Sequence, residues 1–390
     1  MLDRDNGRVS RAGRNRLADA RVVLIDPAGW GSFATWGAAL HHRGLQVLRV
    51  ADSGRGVLGA AYRLRDRWLL GSPPVHLDTP VAITRALMDE LLAPPTVDVH
   101  CSEDLLPAIG AVTTLPSGGP LGRVPAQLWH LLGDKLAMTE FAVGLDLAVP
   151  RTTAAHDGTF PFVVKRKNGS AGGGVRVVND QAELEAARRE LDPEHDDALF
   201  YQEPFTAAVV NAGGVARDGR LIVSAVYLAK PAPDDPLGPP EVLEILDLPG
   251  LHDELAALLG ALEYTGVFCV DYVMTDDGRW GMVDVNSRAF GGWLALQIAG
   301  LDIVGAYLSL FGMAPEPGLA LLEPGRELDD RIRLRPGPGG VGAVGTEWRR
   351  SLQAIRAAAE VTGPRYAAML AARSTAAAAT AAARRVGRSR

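Results

Sequence analysis

The sequence is poor in cysteine, lacks a long apolar run and has no strong excess of charge of either sign. Its 390 residues include two cysteines, Cys101 and Cys269, which have neither CxxC nor Cys/His metal spacing. This argues against a zinc-finger type of site and favours two buried thiols in a reducing cytoplasm. The formal net charge of −6 gives no signature for binding a polyanion, so nucleic acid is not an expected partner. No apolar run approaches the roughly 20 residues of a membrane-spanning helix, so a membrane is not an expected partner either.

The chain is longer than one ordinary hydrophobic core requires, which predicts two or three domains that share a cleft. Residues 1–20 are charged and contain no hydrophobic signal core. We therefore expect a frayed, flexible N-terminus rather than a secretion signal.

The stretch Thr265–Gly292 carries acidic residues inside otherwise apolar segments. Val, Phe and Tyr favour strands, and Asp-Gly favours a tight turn. The pattern therefore predicts a hairpin of two strands, Gly266–Met274 and Arg279–Val285, joined at Asp276-Asp277-Gly278.

Pairing of these two strands would bring Asp271 alongside Asp284, where the two like charges repel each other. Asn286, two residues further on, points to the same face as Asp284. Two carboxylates and an amide oxygen in a water-poor cluster suit a hard divalent cation such as Mg2+. The alternative, which these residues alone leave equally open, is a structural pair of aspartates satisfied by a nearby Lys or Arg.

A second pattern is a glycine-rich stretch between two segments that read as strands, Phe160–Lys165 and Val175–Val178. The stretch Gly169–Gly174 contains four glycines, whose backbone N–H groups can approach a phosphate closely. Three cations, Lys165–Lys167, stand at its base. A plain glycine-rich hairpin is the alternative, but the three cations favour phosphate binding.

Residues 20 to about 120 alternate strand and helix patterns, which predicts an open α/β domain. Within it, Gly29, Gly31 and Ala34 have the spacing of a dinucleotide-binding loop, and Asp52 stands at the distance of a ribose-binding acid. We favour a structural interpretation, a tight turn from strand to helix, because the glycines are followed by the bulky Phe33.

A helix is predicted over residues 133–144, with Asp134 and Lys135 at its start. The acid is favourable near the positive end of the helix dipole and the lysine is not, which hints at an external anion. A solvated surface lysine is the alternative.

Two later segments are predicted to be irregular. Pro231–Pro240 is rich in proline and acid and reads as a mobile loop. Beyond residue 313 we expect a linker, a helix at Glu347–Glu360 and an alanine- and arginine-rich tail, Arg365–Arg390, that is solvated by default.

Taken in order, these features resemble the ATP-grasp superfamily: an α/β domain, a helix that begins Asp-Lys, a lysine followed by a glycine-rich hairpin, a strand that ends Gln-Glu, and an acidic hairpin with Asp-x-Asn-x-Arg. The resemblance covers roughly residues 21–312. It implies an α/β fold in which an open α/β domain at 21–125 precedes a two-lobed ATP-grasp domain with antiparallel sheets at 126–312. The lid lobe would span about 150–205 and the large lobe about 206–312, followed by the linker, helix and tail at 313–390.

The resemblance also implies a site for ATP and Mg2+, with Mn2+ as a substitute metal. By role, its residues would be Lys135 and Lys165 on the phosphates; Gly169, Ser170, Gly172, Gly173 and Gly174 over them; Gln202, Glu203 and Phe205 on the adenine; Asp271, Asp284 and Asn286 on the metal; and Arg288 and Lys230 as catalytic groups, Lys230 being the weaker candidate.

The sequence departs from the family pattern in three places. No carboxylate for the ribose is present in Thr206–Asn211, Asp284 stands where Glu is common, and Ser287 replaces the usual Pro before Arg288. The first departure leaves the ribose contact unassigned. None of the three removes a phosphate or metal group, so we expect an active enzyme.

The activity implied by the resemblance is that of an ADP-forming ligase, which activates a carboxylate as an acyl phosphate and couples it to an amine. Its partners would be small-molecule acids and amines and, as is common in the family, a second copy of the chain. A catalytically silent ATP-binding or regulatory protein of the same fold is one alternative. A nicotinamide-dependent oxidoreductase built on Gly29 and Gly31 is another.

Overall fold

A computed structural model of the chain describes residues 19–26, 31–52, 67–70, 75–77, 83–113, 120–156, 158–169, 174–191, 198–204, 208–232, 235–275, 278–318, 322–329 and 353–371. Three β-sheets organise these residues, and the sheets lie within residues 21–101, 152–202 and 208–329. The first sheet is parallel and the other two are antiparallel, which confirms the expected fold class. None of the helices in these ranges combines the length and the apolar character needed to cross a bilayer.

The N-terminal sheet has the strand order β3-β2-β1-β4. Its strands are β1 (Arg21–Ile25), β2 (Gln46–Asp52), β3 (Val75–Leu77) and β4 (Thr96–Cys101), and its helices are α1 (Gly31–His42), α2 (Arg85–Leu92) and α3 (Leu106–Val112). β1 is almost wholly buried, as expected for a parallel strand that is covered on both faces. Phe33 and Trp36 of α1 are fully buried, so this helix packs onto the sheet. Gly29 lies outside the described residues.

A smaller sheet follows helix α4 (Lys135–Gly144). Its strands are β5 (Thr152–Thr153), β6 (Phe162–Arg166), β7 (Val175–Val178) and β8 (Leu199–Gln202), in the order β5-β8-β6-β7, and it is accompanied by helix α5 (Gln181–Leu191). Phe162 and Val164 from the sheet and Leu184 from α5 belong to one small core of its own. This unit therefore does not share a hydrophobic core with the larger sheets.

The largest sheet has the order β13-β12-β9-β10-β11-β14. Its strands are β9 (Ala208–Arg217), β10 (Arg220–Ala232), β11 (Asp235–Ile245), β12 (Gly266–Met274), β13 (Trp280–Asn286) and β14 (Glu327–Asp329), and its helices are α6 (Leu251–Ala261), α7 (Trp293–Ile298) and α8 (Ile303–Ser309). β12 lies between β13 and β9, so the acidic hairpin is held inside the sheet. β14 belongs to this sheet although it follows residue 312, where the large lobe was predicted to end.

The prediction of a mobile loop at Pro231–Pro240 was wrong. β10 continues through residue 232 and β11 begins at residue 235, so the two strands form a long hairpin. The register shifts on both sides of Pro231, which is paired with Pro240. Such irregular positions accept prolines, because the missing N–H groups are not needed for regular pairing.

The C-terminal prediction was also wrong in part. A helix, α9, is described over residues 353–371, so it continues past Glu360 into the segment that was expected to be a solvated tail, whereas the predicted start at Glu347 lies outside the described residues. Ile355, Ala358 and Val361 are buried and belong to the same core as Val22 of β1. Their spacing of three residues places them on one face of the helix, and alanine favours the helical state.

Candidate functional site

The acidic hairpin has the predicted register. β12 and β13 are antiparallel, and Asp271 is paired directly with Asp284. The strand β9 lies on the other side of β12, where Asn211 is opposite Asp271. The sheet therefore places two carboxylates and one amide from three neighbouring strands side by side.

Asp271 is satisfied by amides rather than by a cation. Its Oδ1 accepts a hydrogen bond from Nδ2 of Asn211 at 2.5 Å, and its Oδ2 accepts one from Nδ2 of Asn286 at 3.1 Å. Burial, reinforced by the negative charge of Asp284, raises the pKa of Asp271 to about 6. The ionised form of Asp271 is therefore destabilised, because removal from water and a neighbouring like charge both oppose its ionisation.

Asp284 is paired with Lys135. Asp134 caps α4, because its Oδ1 accepts from the backbone N–H groups of Leu136 and Ala137 at 3.0 Å. The cap places Lys135 at the first position of the helix, and its Nζ forms an ion pair with Oδ2 of Asp284. If the two aspartates were only a structural pair, a nearby Lys or Arg should satisfy them. Lys135 does so for Asp284, whereas Asp271 has no ion pair with any described residue.

Lys165, near the end of β6, approaches the same cluster from the smaller sheet. Burial, the largest effect, and the charge of Lys135 lower the pKa of Lys165 to about 8, although Asp284 and Asp271 oppose the change. Its side chain is 8% exposed, and no hydrogen-bond acceptor is found for it among the described residues. Two lysines from different elements thus surround the pair of carboxylates.

The glycine-rich hairpin starts beside these lysines. The backbone N–H of Arg166 donates to the carbonyl of Gly174 at 2.9 Å, and the N–H of Lys135 donates to the carbonyl of Lys167 at 2.8 Å. Gly169 has a φ of 140°, a conformation that favours glycine. The base of the hairpin is therefore attached to the start of α4. Three further predicted loop residues lie outside the described part: Ser170, Gly172 and Gly173.

The predicted adenine residues lie at the end of β8. Gln202 is buried, and its Nε2 donates to Oγ1 of Thr152 at 2.9 Å. The N–H of Glu203 donates to the carbonyl of Arg151 at 2.9 Å. Phe205 lies outside the described residues.

Lys230 is not part of the charged cluster. It lies on β10, which is separated from β12 by β9. Its Nζ lies 2.6 Å from Oε2 of Glu244 and 2.8 Å from Oε1 of Glu327. Both carboxylates would have to release the lysine before it could contact a substrate, so its catalytic role stays a prediction with little geometric support.

Arg288 is held by an acid that sequence reasoning missed. Glu103 follows β4 in a short helix at Glu103–Leu105, and its Oε2 accepts from Nε of Arg288 at 2.9 Å. Its Oε1 accepts from the backbone N–H of Ser287 at 3.1 Å. Nη2 of Arg288 in turn donates to Oδ1 of Asn286 at 3.0 Å. The N-terminal unit therefore orients both the arginine and the amide beside Asp271.

Comparisons with solved structures identify the fold. The chain is similar to the biotin carboxylase domain of Hydrogenobacter thermophilus 2-oxoglutarate carboxylase, with a TM-score of 0.58 and 14% identity over 76% of this chain and 71% of that one. An L-amino acid ligase from Bacillus licheniformis gives a TM-score of 0.53 and 15% identity over 80% and 79% of the two chains. The corresponding values for N5-carboxyaminoimidazole synthetase from Staphylococcus aureus are 0.56, 12%, 79% and 80%. No protein-family model and no curated protein matches the sequence.

The chain has the ATP-grasp fold. The expectation drawn from the order of the sequence features is thereby confirmed at the level of the fold. In this chain the acidic hairpin, α4 and the smaller sheet bring Lys135, Lys165, Asp271 and Asp284 together.

Two residues that contact the charged cluster and Arg288, Asn211 and Glu103, were not predicted from the sequence. Asn211 lies on β9, and no local pattern distinguishes it from other polar residues in strands. Glu103 offered a usable signal, because it comes directly after a parallel strand, and the carboxyl ends of such strands are where sites form in open α/β sheets. Among the described residues no group of three or more His, Cys, Asp or Glu could hold a metal. A metal here would depend on two carboxylates and an amide.

We predict strong coupling between Glu103 and Arg288. Because both side chains are at most 10% exposed, Glu103→Gln and Arg288→Met should each lower the free energy of unfolding by about 3 kcal/mol. The double variant should cost less than the sum, by roughly 1 to 3 kcal/mol. Urea denaturation of the four proteins measures the coupling. Strictly additive losses would contradict it, and the exposed Glu140→Gln variant on α4 should be neutral.

A second prediction concerns pH. The ordinary pKa of Lys165 is 10.5 and the folded value is about 8, so between these values the unfolded chain binds more protons and stability rises with pH. Lys165→Met removes this titration. The variant should exceed the wild type in stability at neutral pH by on the order of 3 kcal/mol, and the gap should close above the upper value. Urea unfolding across this range tests the prediction. Lys167→Met should show no such pH-dependent gap; a constant gap for Lys165→Met would refute it.

Proposed function

We propose that this protein is a Mg2+-dependent, ADP-forming ligase that activates a carboxylate with ATP and joins it to an amine. The observation that carries the proposal is the meeting of Lys135 and Lys165, from two different elements, at the Asp271–Asp284 pair. Phosphoryl transfer needs positioned cations and metal-binding oxygens more than it needs a protein nucleophile.

Lys135 and Lys165 are proposed to contact the phosphates from two sides. For Lys135 this means exchanging Asp284 for a phosphate oxygen, which a metal at Asp284 would make favourable. Lys165 has no acceptor among the described residues, so it needs no such exchange. A phosphate would also raise the pKa of Lys165 back toward its ordinary value, because an adjacent anion favours the protonated form.

The residues of the acidic hairpin fit a hard cation. Asp271 and Asp284 offer carboxylate oxygens, and Asn286 offers an amide oxygen that already accepts one hydrogen bond from Arg288 and has a second lone pair. A divalent cation would relieve the unfavourable burial of two adjacent carboxylates. Oxygen donors of this kind suit Mg2+ and also accept Mn2+. Bound with ATP, the metal would supply charge neutralisation during transfer of the terminal phosphate.

The remaining predicted contacts surround this centre. We propose that the loop over the phosphates excludes water and thereby protects the activated acid from hydrolysis. We also propose that the residues at the end of β8 contact the adenine. The loop residues are Gly169, Ser170, Gly172, Gly173 and Gly174, and the adenine residues are Gln202, Glu203 and Phe205.

Arg288 is proposed to contact the transferred phosphate or the activated acid. All three nitrogen atoms of its guanidinium group donate to acceptors within the protein: Nε to Glu103, Nη1 to the carbonyl of Ala289 and Nη2 to Asn286. Such an anchored guanidinium is oriented before a substrate arrives, which lowers the cost of using it in the transition state. Lys230 is retained as a weaker candidate for a substrate contact.

The similar structures support the reaction class. One of them is an L-amino acid ligase, and another is a synthetase complexed with ADP. The biotin carboxylase domain was solved with MgADP and bicarbonate. Because the identities are 12–15%, we propose the substrates only as a class, small-molecule acids and amines. We also propose a homodimer as an assembly of this chain.

A nucleotide-binding protein without turnover is the second candidate. The ion pair between Lys135 and Asp284 favours it, because the pair satisfies a metal-binding carboxylate without a metal. The two candidates differ in their need for Mg2+.

We predict that Asp284→Asn and Asp271→Asn each weaken ATP binding roughly tenfold or more when Mg2+ is present. Without Mg2+ neither substitution should weaken ATP binding, because the carboxylates then only repel the phosphates. Calorimetric titration of ATP with and without Mg2+ makes the comparison, and Asp253→Asn on the exposed face of α6 is the matched control. ATP binding that is independent of Mg2+ and unchanged by both substitutions would favour the nucleotide-binding protein without turnover.

The activity itself is tested by product analysis. The protein with Mg-ATP and a panel of amino acids and small carboxylates should release ADP only when both an acid and an amine are present, and Arg288→Met should abolish this release. AMP as the product would rule out activation by an acyl phosphate.

A further inference from the structure

Two apolar side chains border the charged cluster on the same face of the large sheet. Val273 lies two residues beyond Asp271 on β12, and Val209 lies two residues before Asn211 on β9. Because strand residues two apart point to the same face, both valines share the face of the carboxylates. They are also paired directly across the two strands. Val209 and Val273 are called the apolar strip below.

The apolar strip is exposed although it lies inside the sheet. β9 is flanked by β12 and β10, yet Val209 is 49% exposed and Val273 is partly exposed. Further along the same face of these strands, Val215, Val267 and Cys269 are buried in a hydrophobic core. The strip is therefore the uncovered end of an otherwise covered face, and exposed apolar surface next to a polar cluster is typical of a ligand-binding groove.

The smaller sheet presents a similar surface. Val163 lies two residues before Lys165 on β6 and is paired with Val177 of β7, so both valines share the face of Lys165. Val177 is 61% exposed. Because Lys165 is close enough to Asp284 and Asp271 for their charges to act on its pKa, this face is turned toward the large sheet. The opening beside the charged cluster therefore has an apolar wall on each side.

The apolar strip lies between the places proposed for the two ends of the nucleotide. The adenine is proposed at Glu203 and the phosphates at the Asp271–Asp284 pair, and Val209 stands in sequence between Glu203 and Asn211, the neighbour of Asp271. Two strand residues span about 7 Å, which is comparable to the separation between the sugar and the outer phosphates of ATP. The sugar, which joins the base to the phosphates, therefore falls beside Val209.

The apolar strip offers no hydrogen bond to the hydroxyl groups of a sugar. The stretch Thr206–Asn211 contains no carboxylate, and the side-chain N–H group of Asn211 already donates to Asp271. Because Val209 is half exposed, hydroxyl groups beside it keep their hydrogen bonds with water. A hydroxyl group that is hydrated both before and after binding adds little to affinity, since no hydrogen bond is exchanged.

We propose that the sugar of the bound nucleotide lies on the apolar strip with its hydroxyl groups in water, so that this protein does not distinguish ATP from nucleotides that lack those hydroxyl groups. The inference rests on the proposed function and adds a statement about its specificity. Val209 is the residue that sets this indifference, because its side chain occupies the position from which a polar group could contact the sugar.

The probe is 2′,3′-dideoxyATP, which lacks both hydroxyl groups. Calorimetric titration of the full chain with Mg2+ should give dissociation constants for ATP and for this analogue that agree within about fivefold, which is less than one hydrogen bond to a charged side chain supplies. Val209→Asp places a carboxylate beside the sugar and should create a preference for ATP of about tenfold or more. The readout is the ratio of the two constants, because the new charge repels the phosphates of both nucleotides equally. Val143→Asp, at an exposed position on α4, is the matched control and should keep the wild-type ratio.

The outcomes separate this inference from the proposed function. If the wild type binds ATP more than fivefold more tightly than the analogue, the inference is overturned and the proposed function stands. An unchanged ratio in Val209→Asp would also overturn it, because the sugar would then lie elsewhere. Failure of both nucleotides to bind to the wild type would overturn the proposed function, and the inference with it. Because Val209 is half exposed, the variant should fold like the control, which circular dichroism checks.

Discussion

The repulsion between Asp271 and Asp284 is the constraint around which the site is organised. An antiparallel hairpin places the two carboxylates directly opposite each other in a largely apolar sheet, where a buried charge is costly unless it is paired. The compensating groups come from elsewhere: Lys135 from α4, Lys165 from the smaller sheet and Asn211 from the neighbouring strand. Three parts of the fold therefore meet at this pair, and their cations and oxygen donors form the site at which we propose that a phosphate and a metal bind.

A second tie connects the N-terminal unit to this point. Glu103 accepts hydrogen bonds from both the side chain of Arg288 and the backbone of Ser287. Phe290, in the segment after β13, packs against Gly213 of β9. A Cβ added to Gly213 would lie 2.5 Å from Cζ of the Phe290 ring. A bulky aromatic ring therefore requires glycine on β9. The arginine is thus positioned by one acid from another unit and by packing over its own sheet.

Much of the fold could be predicted from local pattern. The strands Val175–Val178 and Gly266–Met274 have the bounds expected from the sequence, because β-branched and aromatic residues and the Asp-Gly turn act over a few positions. The predictions for Pro231–Pro240 and α9 were wrong because tertiary contacts overrode the local pattern. A bulged strand accepted the prolines, and a buried contact with the N-terminal core ordered a segment whose composition is typical of solvated tails.

The two acids, their spacing around a turn, the lysines and the glycine-rich stretch can all be read from the sequence, and they lead to the expectation that Asp271 and Asp284 meet. The tertiary structure sets which cation reaches which acid: Lys135 pairs with Asp284, whereas Asp271 accepts hydrogen bonds from two amides. It also decided that Glu103 anchors Arg288 and that Lys230 is occupied by other acids. The physical reason is range. Strand pairing and capping depend on neighbours in sequence, whereas the partner of a buried charge is set by which distant elements pack against it.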